Sequence, residues 1–117
     1  MDQLTDSVYT VSDGETVVVK IIPTKVGNTA TFAIGGTPLT QLSKAPPTYQ
    51  FQVSLQPMQT HFGVVRCDFA SDTPADAFFQ VRVSGVDANG APVDYTGPRI
   101  GQQDPNRCDM EFRRLAT

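Results

Sequence analysis

Ala77-Phe-Phe-Gln-Val-Arg-Val-Ser-Gly-Val86 alternates apolar Phe79, Val81 and Val83 with polar Gln80, Arg82 and Ser84. That two-residue period predicts a strand with one dry and one wet face. Asp87-Ala-Asn-Gly90 follows as a turn signal, and Ala91 to Thr96 is a second short run placed to return antiparallel. Tyr49, Phe51, Val53 and Leu55 alternate with Gln50, Gln52 and Ser54 in the same manner. Half-wet strands of this kind belong to antiparallel sheets.

Working outward, nine Gly and nine Pro cut the chain into segments of strand length, none with a long run of helical spacing. The clearest strands are expected over Thr16 to Ile22, Thr29 to Ile34, Tyr49 to Leu55, Phe62 to Phe69, Ala77 to Val86 and Arg107 to Leu115. Weaker ones are expected over Ser7 to Ser12, Thr37 to Thr40 and Ala91 to Thr96. Ser12-Asp-Gly14, Val26-Gly-Asn28, Gly35-Gly36 and Asn89-Gly90 supply residues that tolerate the positive φ of tight hairpin turns. Gln41 to Pro47 and Gly97 to Asn106 are too long for such turns and are the expected crossings between sheets. The reading is a single all-β domain over residues 1–117, an antiparallel two-sheet β-sandwich of seven to nine short strands.

The run from Phe78 to Tyr95 resembles the last hairpin of immunoglobulin-like modules, so the sandwich is immunoglobulin-like in general architecture. The chain has no Trp, and its two cysteines lack the intersheet spacing of true immunoglobulin domains. The resemblance therefore carries no functional residues with it.

Composition narrows function by exclusion. A length of 117 residues with 39% hydrophobic and 18% charged residues suits a globular domain with its own core, and argues against disorder or a membrane span. The formal net charge is −3, and the nearest approach to a basic cluster, Arg107, Arg113 and Arg114, is interleaved with Asp109 and Glu111. No nucleic-acid partner and no membrane partner are expected. The N-terminus lacks the basic start and apolar core of a signal peptide, so the chain as written reads as cytoplasmic, or extracellular if it is a mature form.

Catalysis is not expected. His61 is the only histidine, which removes most triads and histidine metal clusters, and no nucleophile elbow, phosphate loop or His-Glu-x-x-His is present. A Cys67–His61 pair would span six residues of one strand, roughly 20 Å. No cofactor and no metal site are expected. Cys67 shares a strand face with Val65 and Phe69, and Cys108 shares one with Met110 and Phe112, so both side chains should point into the core. They are either buried thiols or one disulfide, which would add roughly 4 kcal/mol by closing a long loop.

Three binding readings stay open. Val18, Ile22, Phe62, Val64 and Phe78 fall in the outward phase of their strands, and so many exposed apolar residues suggest a protein-protein interface, with a partner or with a second copy in a homo-oligomer. A bulge at Gly63 would instead reset the phase. A lectin-like carbohydrate binder would use loop residues, with Asp94, Tyr95 and Arg99 as candidates, Tyr49 pointing inward and Tyr9 and Tyr95 exposed. A calcium-binding sandwich would draw on Asp68, Asp72 and Asp76, or on Asp87, Asn89 and Asp94, although Asp87-x-Asn89-Gly90 does not follow the calcium-loop pattern.

Overall fold

The computed structural model describes residues 2–3, 7–11, 15–25, 27–40, 48–54, 60–87, 89–102 and 106–114. These hold ten strand segments and no helix: β1 Asp2–Gln3, β2 Val8–Val11, β3 Thr16–Pro23, β4 Thr29–Ile34, β5 Thr37–Pro38, β6 Tyr49–Ser54, β7 Thr60–Asp68, β8 Phe78–Val86, β9 Pro92–Gly101 and β10 Arg107–Arg114. They form a β-sandwich of two sheets, a larger one in the order β1-β2-β10-β7-β4-β5 and a smaller one in the order β6-β3-β8-β9. All nine expected strands are present, and β1 is the addition.

The period-two reading sets the core. Val17, Val19 and Ile21 of β3, Phe51 and Val53 of β6 and Phe79, Val81 and Val83 of β8 face Phe32 of β4, Val65 and Cys67 of β7 and Cys108, Met110 and Phe112 of β10. All of these side chains are buried, so one apolar layer joins the sheets. Aromatic pairs bind the layers together: Phe32 lies 5.8 Å from Phe51, and Phe69 meets Phe79 edge-on at 5.2 Å.

One pairing departs from the all-antiparallel expectation. β2 runs parallel to β10, with Tyr9 beside Phe112. Parallel neighbours require a long connection between them, and here nearly the whole domain provides it. The β8–β9 hairpin is also not the last element, because β10 follows it and returns to the larger sheet.

β9 corrects the expected boundary at Thr96. Gln80 is opposite Arg99 whereas Arg82 is opposite Thr96, so β9 has one extra residue between these pairs. This bulge at Gly97 and Pro98 lets an edge strand accommodate a proline and continue to Gly101. Gln80 Nε2 donates to the Gly97 carbonyl at 2.7 Å, occupying an acceptor the bulge frees. Of the two expected crossings, 41–47 lies outside the described residues, and the second is strand as far as Gly101, with 103–105 outside the described residues. The Ser12-Asp-Gly14 turn also lies outside the described residues. Gly35, Gly36 and Gly90 adopt positive φ of 56°, 83° and 81° at the expected turns.

No bulge occurs at Gly63. The β7 ladder is in continuous register with both β4 and β10 through this residue. Gly63 occupies an inward position, where an ideal Cβ would lie 2.7 Å from Phe32 Cζ. The strand dispenses with a side chain so that the Phe32 ring can lie across it.

Candidate functional site

The five outward apolar residues do not form one patch. β3 and β8 belong to the smaller sheet and β7 to the larger, so Val18, Ile22 and Phe78 lie on one outer face of the sandwich and Phe62 and Val64 on the opposite one. The expectation that these five residues form one interface is corrected on this ground.

The two faces treat their apolar residues differently. On the smaller sheet, Phe78 is half-buried beneath the Arg99 guanidinium, 4.5 Å from the ring centroid. Its main chain is tied to Thr24, whose amide donates to the Phe78 carbonyl at 3.0 Å and whose Oγ1 accepts the Phe78 amide at 3.0 Å. Ile22 is flanked by Gln80, and Val18 by Gln52 and Ser84, and both are half-buried. Long polar neighbours thus shield this face from within.

The larger sheet leaves its aromatic open. Phe62 is 61% exposed, the only large hydrophobic so exposed among the described residues. The ladder explains why. On one side Phe62 neighbours Glu111, and on the other its carbonyl accepts the amide of Gly35 at 2.9 Å, so no side chain flanks the ring there. Two residues along β7, Val64 stands between Ala33 and Asp109, and two further, Arg66 stands between Thr31 and Arg107.

Beyond Val64 the same face sinks into a shallow hollow of about 400 Å³ lined by Thr31, Phe32, Ala33, Gly36, Pro38, Val64 and Arg66. Thr31 and Arg66 are the only residues with polar side chains in its lining. Arg66 and Arg107 are direct cross-strand neighbours, an arrangement of like charges that disfavours the isolated ladder. Arg107 reaches Asp109 at 3.4 Å, and Arg113 pairs with Glu111 at 2.9 Å. Knob, hollow and opposite charges thus share one flat surface, and no sequence pattern identifies the hollow because β4, β5 and β7 build it together.

The carbohydrate candidates do not converge. Asp94 points outward and is paired with Arg82 at 3.0 Å, while Arg99 covers Phe78. Tyr95 points inward against the core, its ring 6.3 Å from Tyr9. Tyr9, expected to be exposed, is wholly buried and stacks on Phe112 at 5.6 Å. Desolvation by burial, and secondarily Cys108, push its phenol up to about 12. Tyr49 packs against the core and donates its hydroxyl to the Asn28 carbonyl at 2.8 Å.

The acidic residues are used in turns and ion pairs. Asp87 Oδ1 accepts the amides of Asn89 and Ala91 at 2.9 Å each, shaping the β8–β9 turn. Asp72 pairs with Lys25 at 2.9 Å, and the side-chain hydrogen bond from that lysine lowers its pKa. Among the described residues no three His, Cys, Asp or Glu side chains gather as a metal site.

Cys67 and Cys108 are both buried, as the strand phase implied, and of the two states left open they are free thiols. The Cys67 amide donates to the Asn106 carbonyl and Cys108 is opposite Val65, so the cysteines are diagonal neighbours on β7 and β10. A diagonal separation of roughly 7–8 Å exceeds the usual Cα spacing of a disulfide. Burial pushes the Cys67 thiol up to about 12 and raises that of Cys108. His61 is half-buried near the start of β7, opposite Phe112 and six residues from Cys67 along the same strand.

Comparison of the chain with models of known protein families, with curated proteins and with solved structures finds no match. Among the described residues no helix is long and apolar enough to cross a membrane.

Proposed function

We propose that this sandwich is a non-catalytic binding or assembly module that engages a protein through the outer face of its larger sheet, with Phe62 as the anchor. The observation that supports this is the 61% exposure of Phe62, on a rigid central strand hydrogen-bonded on both sides. Aromatic side chains set on a rigid scaffold lose little entropy on docking and commonly carry most of an interface's binding energy. Val64 and Ala33 extend the apolar surface, and the charges of Arg66, Asp109 and Glu111 form its rim. This narrows the five interface residues expected from sequence to two, Phe62 and Val64.

A photo-reactive benzoylphenylalanine placed at Phe62 and irradiated in cells tests the reading. Adducts of higher mass are expected from position 62, and none from the same probe at Gln80 on the opposite outer face. No adduct from position 62, or equal adducts from both positions, would overturn it.

A further inference from the structure

The occupant of this face follows from its own relief, an inference that rests on the reading just given. We infer that two copies of the chain dock through the outer faces of their larger sheets about a two-fold axis lying across the strands near Val64. Phe62 is then a knob and the hollow beyond Val64 its hole, each copy supplying one of each.

The register carries the argument. Outward residues on one strand are roughly 7 Å apart, so Phe62 stands about that distance to one side of Val64. Arg66 and Thr31, which form one end of the hollow, stand about as far to the other side. A two-fold axis lying across the strands near Val64 exchanges these positions. It sets each Phe62 ring over the partner's hollow, against Val64, Ala33 and the Arg66 guanidinium. Such an isologous contact closes on itself and gives a dimer rather than a filament.

Charge agrees with shape. Glu111 lies beside Phe62 and Arg107 lies beside Arg66. The operation that carries Phe62 to the hollow therefore carries Glu111 to the Arg66–Arg107 pair of the other copy. It offers those opposed guanidiniums a carboxylate that none of the described residues of the single chain brings to Arg66. Within one copy Glu111 and Arg66 are four ladder positions apart, roughly 14 Å, too far to pair. The two Asp109 side chains fall closest to the axis, and each keeps its own Arg107 at 3.4 Å. The apolar step from Phe62 to the hollow, with charges of both signs at its border, matches the core-and-rim organisation of stable interfaces.

The test is mass by light scattering on the purified full chain across micromolar to submillimolar concentration. The wild type is expected to approach about twice 12.7 kDa, and Phe62→Glu to remain at the monomer mass. Arg66→Glu and Glu111→Arg should each weaken association at least tenfold, because each sets like charges against each other in both halves of the contact. Mixed together, these two variants should form a one-to-one heterodimer, since both contacts again pair opposite charges. Far-UV circular dichroism of each variant checks that the sandwich is intact, and Phe62→Ser replaces Phe62→Glu if the latter is not. A wild type that stays at 12.7 kDa, or single variants that dimerise as the wild type does, would overturn self-docking. So would a mixture that fails to associate. A monomer that still gives position-62 adducts of another mass in cells would refute self-docking while leaving the binding face standing.

Discussion

Gly63→Ala is the sharpest test of how the larger sheet is packed. The added Cβ would lie 2.7 Å from Phe32 Cζ, and 3.1 Å from both Phe32 Cε2 and Ile34 Cδ1. The first of these separations is one that real Cβ atoms essentially never show, so something must shift. Phe32 is 1% exposed and held against Phe51 at 5.8 Å, so its ring has little room to retreat. Overpacking of this kind costs about 1–3 kcal/mol. Replacing Gly with Ala restricts the unfolded chain and returns about 0.4–1 kcal/mol. The net expectation is a destabilisation of about 1–2 kcal/mol, a fall of about 4–8 °C in Tm for a domain of this size. Urea unfolding should show a lower midpoint at unchanged slope. Phe32→Leu removes the ring atoms that meet the new Cβ, so in the double variant the two losses should fall short of their sum by at least about 0.5 kcal/mol. A Gly63→Ala protein as stable as the wild type, or a strictly additive double variant, would refute the close approach of Phe32 to the β7 backbone.

Two further outcomes are expected. Asn28 is 1% exposed, and its Oδ1 accepts the Ala70 amide at 2.8 Å and the Thr73 hydroxyl at 2.9 Å, so Asn28→Ala leaves these donors unpaired and should cost about 2 kcal/mol. A loss in urea unfolding under about 0.5 kcal/mol would show that this side chain does not pin the β7–β8 connection. Alkaline pH should also destabilise the fold. The Cys67 thiol rises from 9.0 to about 12 and the Tyr9 phenol from 10.0 to about 12. The folded chain therefore holds protons that the unfolded chain has released, and stability present below about pH 9 is lost progressively as pH rises towards 12. Tm should fall steadily above about pH 9, and iodoacetamide at pH 8 should label the thiols only on unfolding. A flat Tm through that window, or rapid labelling of the native chain, would contradict the burial of these groups.

The fold was legible wherever the two-residue period ran unbroken. Phe79, Val81 and Val83, the matching triplet of β3, and the inward cysteines all fell where alternation placed them. It was less legible where the pattern was short or interrupted. Val8-Tyr-Thr-Val11 contains no clean alternation to fix its phase, so its sequence reads Tyr9 as exposed, whereas three of the four residues are buried and Tyr9 stacks in the core. Tyr95 was readable in principle, since it shares the inward phase of Val93 on β9. Gly97-Pro98 reads as the end of a strand because proline lacks an amide to donate, yet an edge strand needs no donor on its free side, and a bulge carries β9 past it. Assignment of strands to sheets was not legible, because β7 leaves the sheet of β3 and β8 through long-range pairings that local pattern does not encode.

That missing assignment explains why phase alone groups Phe78 with Phe62 when only Phe62 is the exposed ring. Outward phase says only that a side chain leaves the core; what it meets is decided by the residues on the adjoining strands. Phe78 meets Arg99 from β9, brought within 4.5 Å after the bulge resets that strand's phase. Without the extra residue at Gly97 and Pro98, Arg99 would point inward, where an unpaired guanidinium would be costly to bury. The bulge thus supplies the cover for Phe78. Phe62 meets Gly35 on one side and Glu111 on the other, and Glu111 is engaged with Arg113 at 2.9 Å. The glycine required by the β4–β5 turn leaves the ring bare. The same turn brings β5 up beside β4, and Pro38, paired with Ala33, walls the hollow into which we place the partner's Phe62.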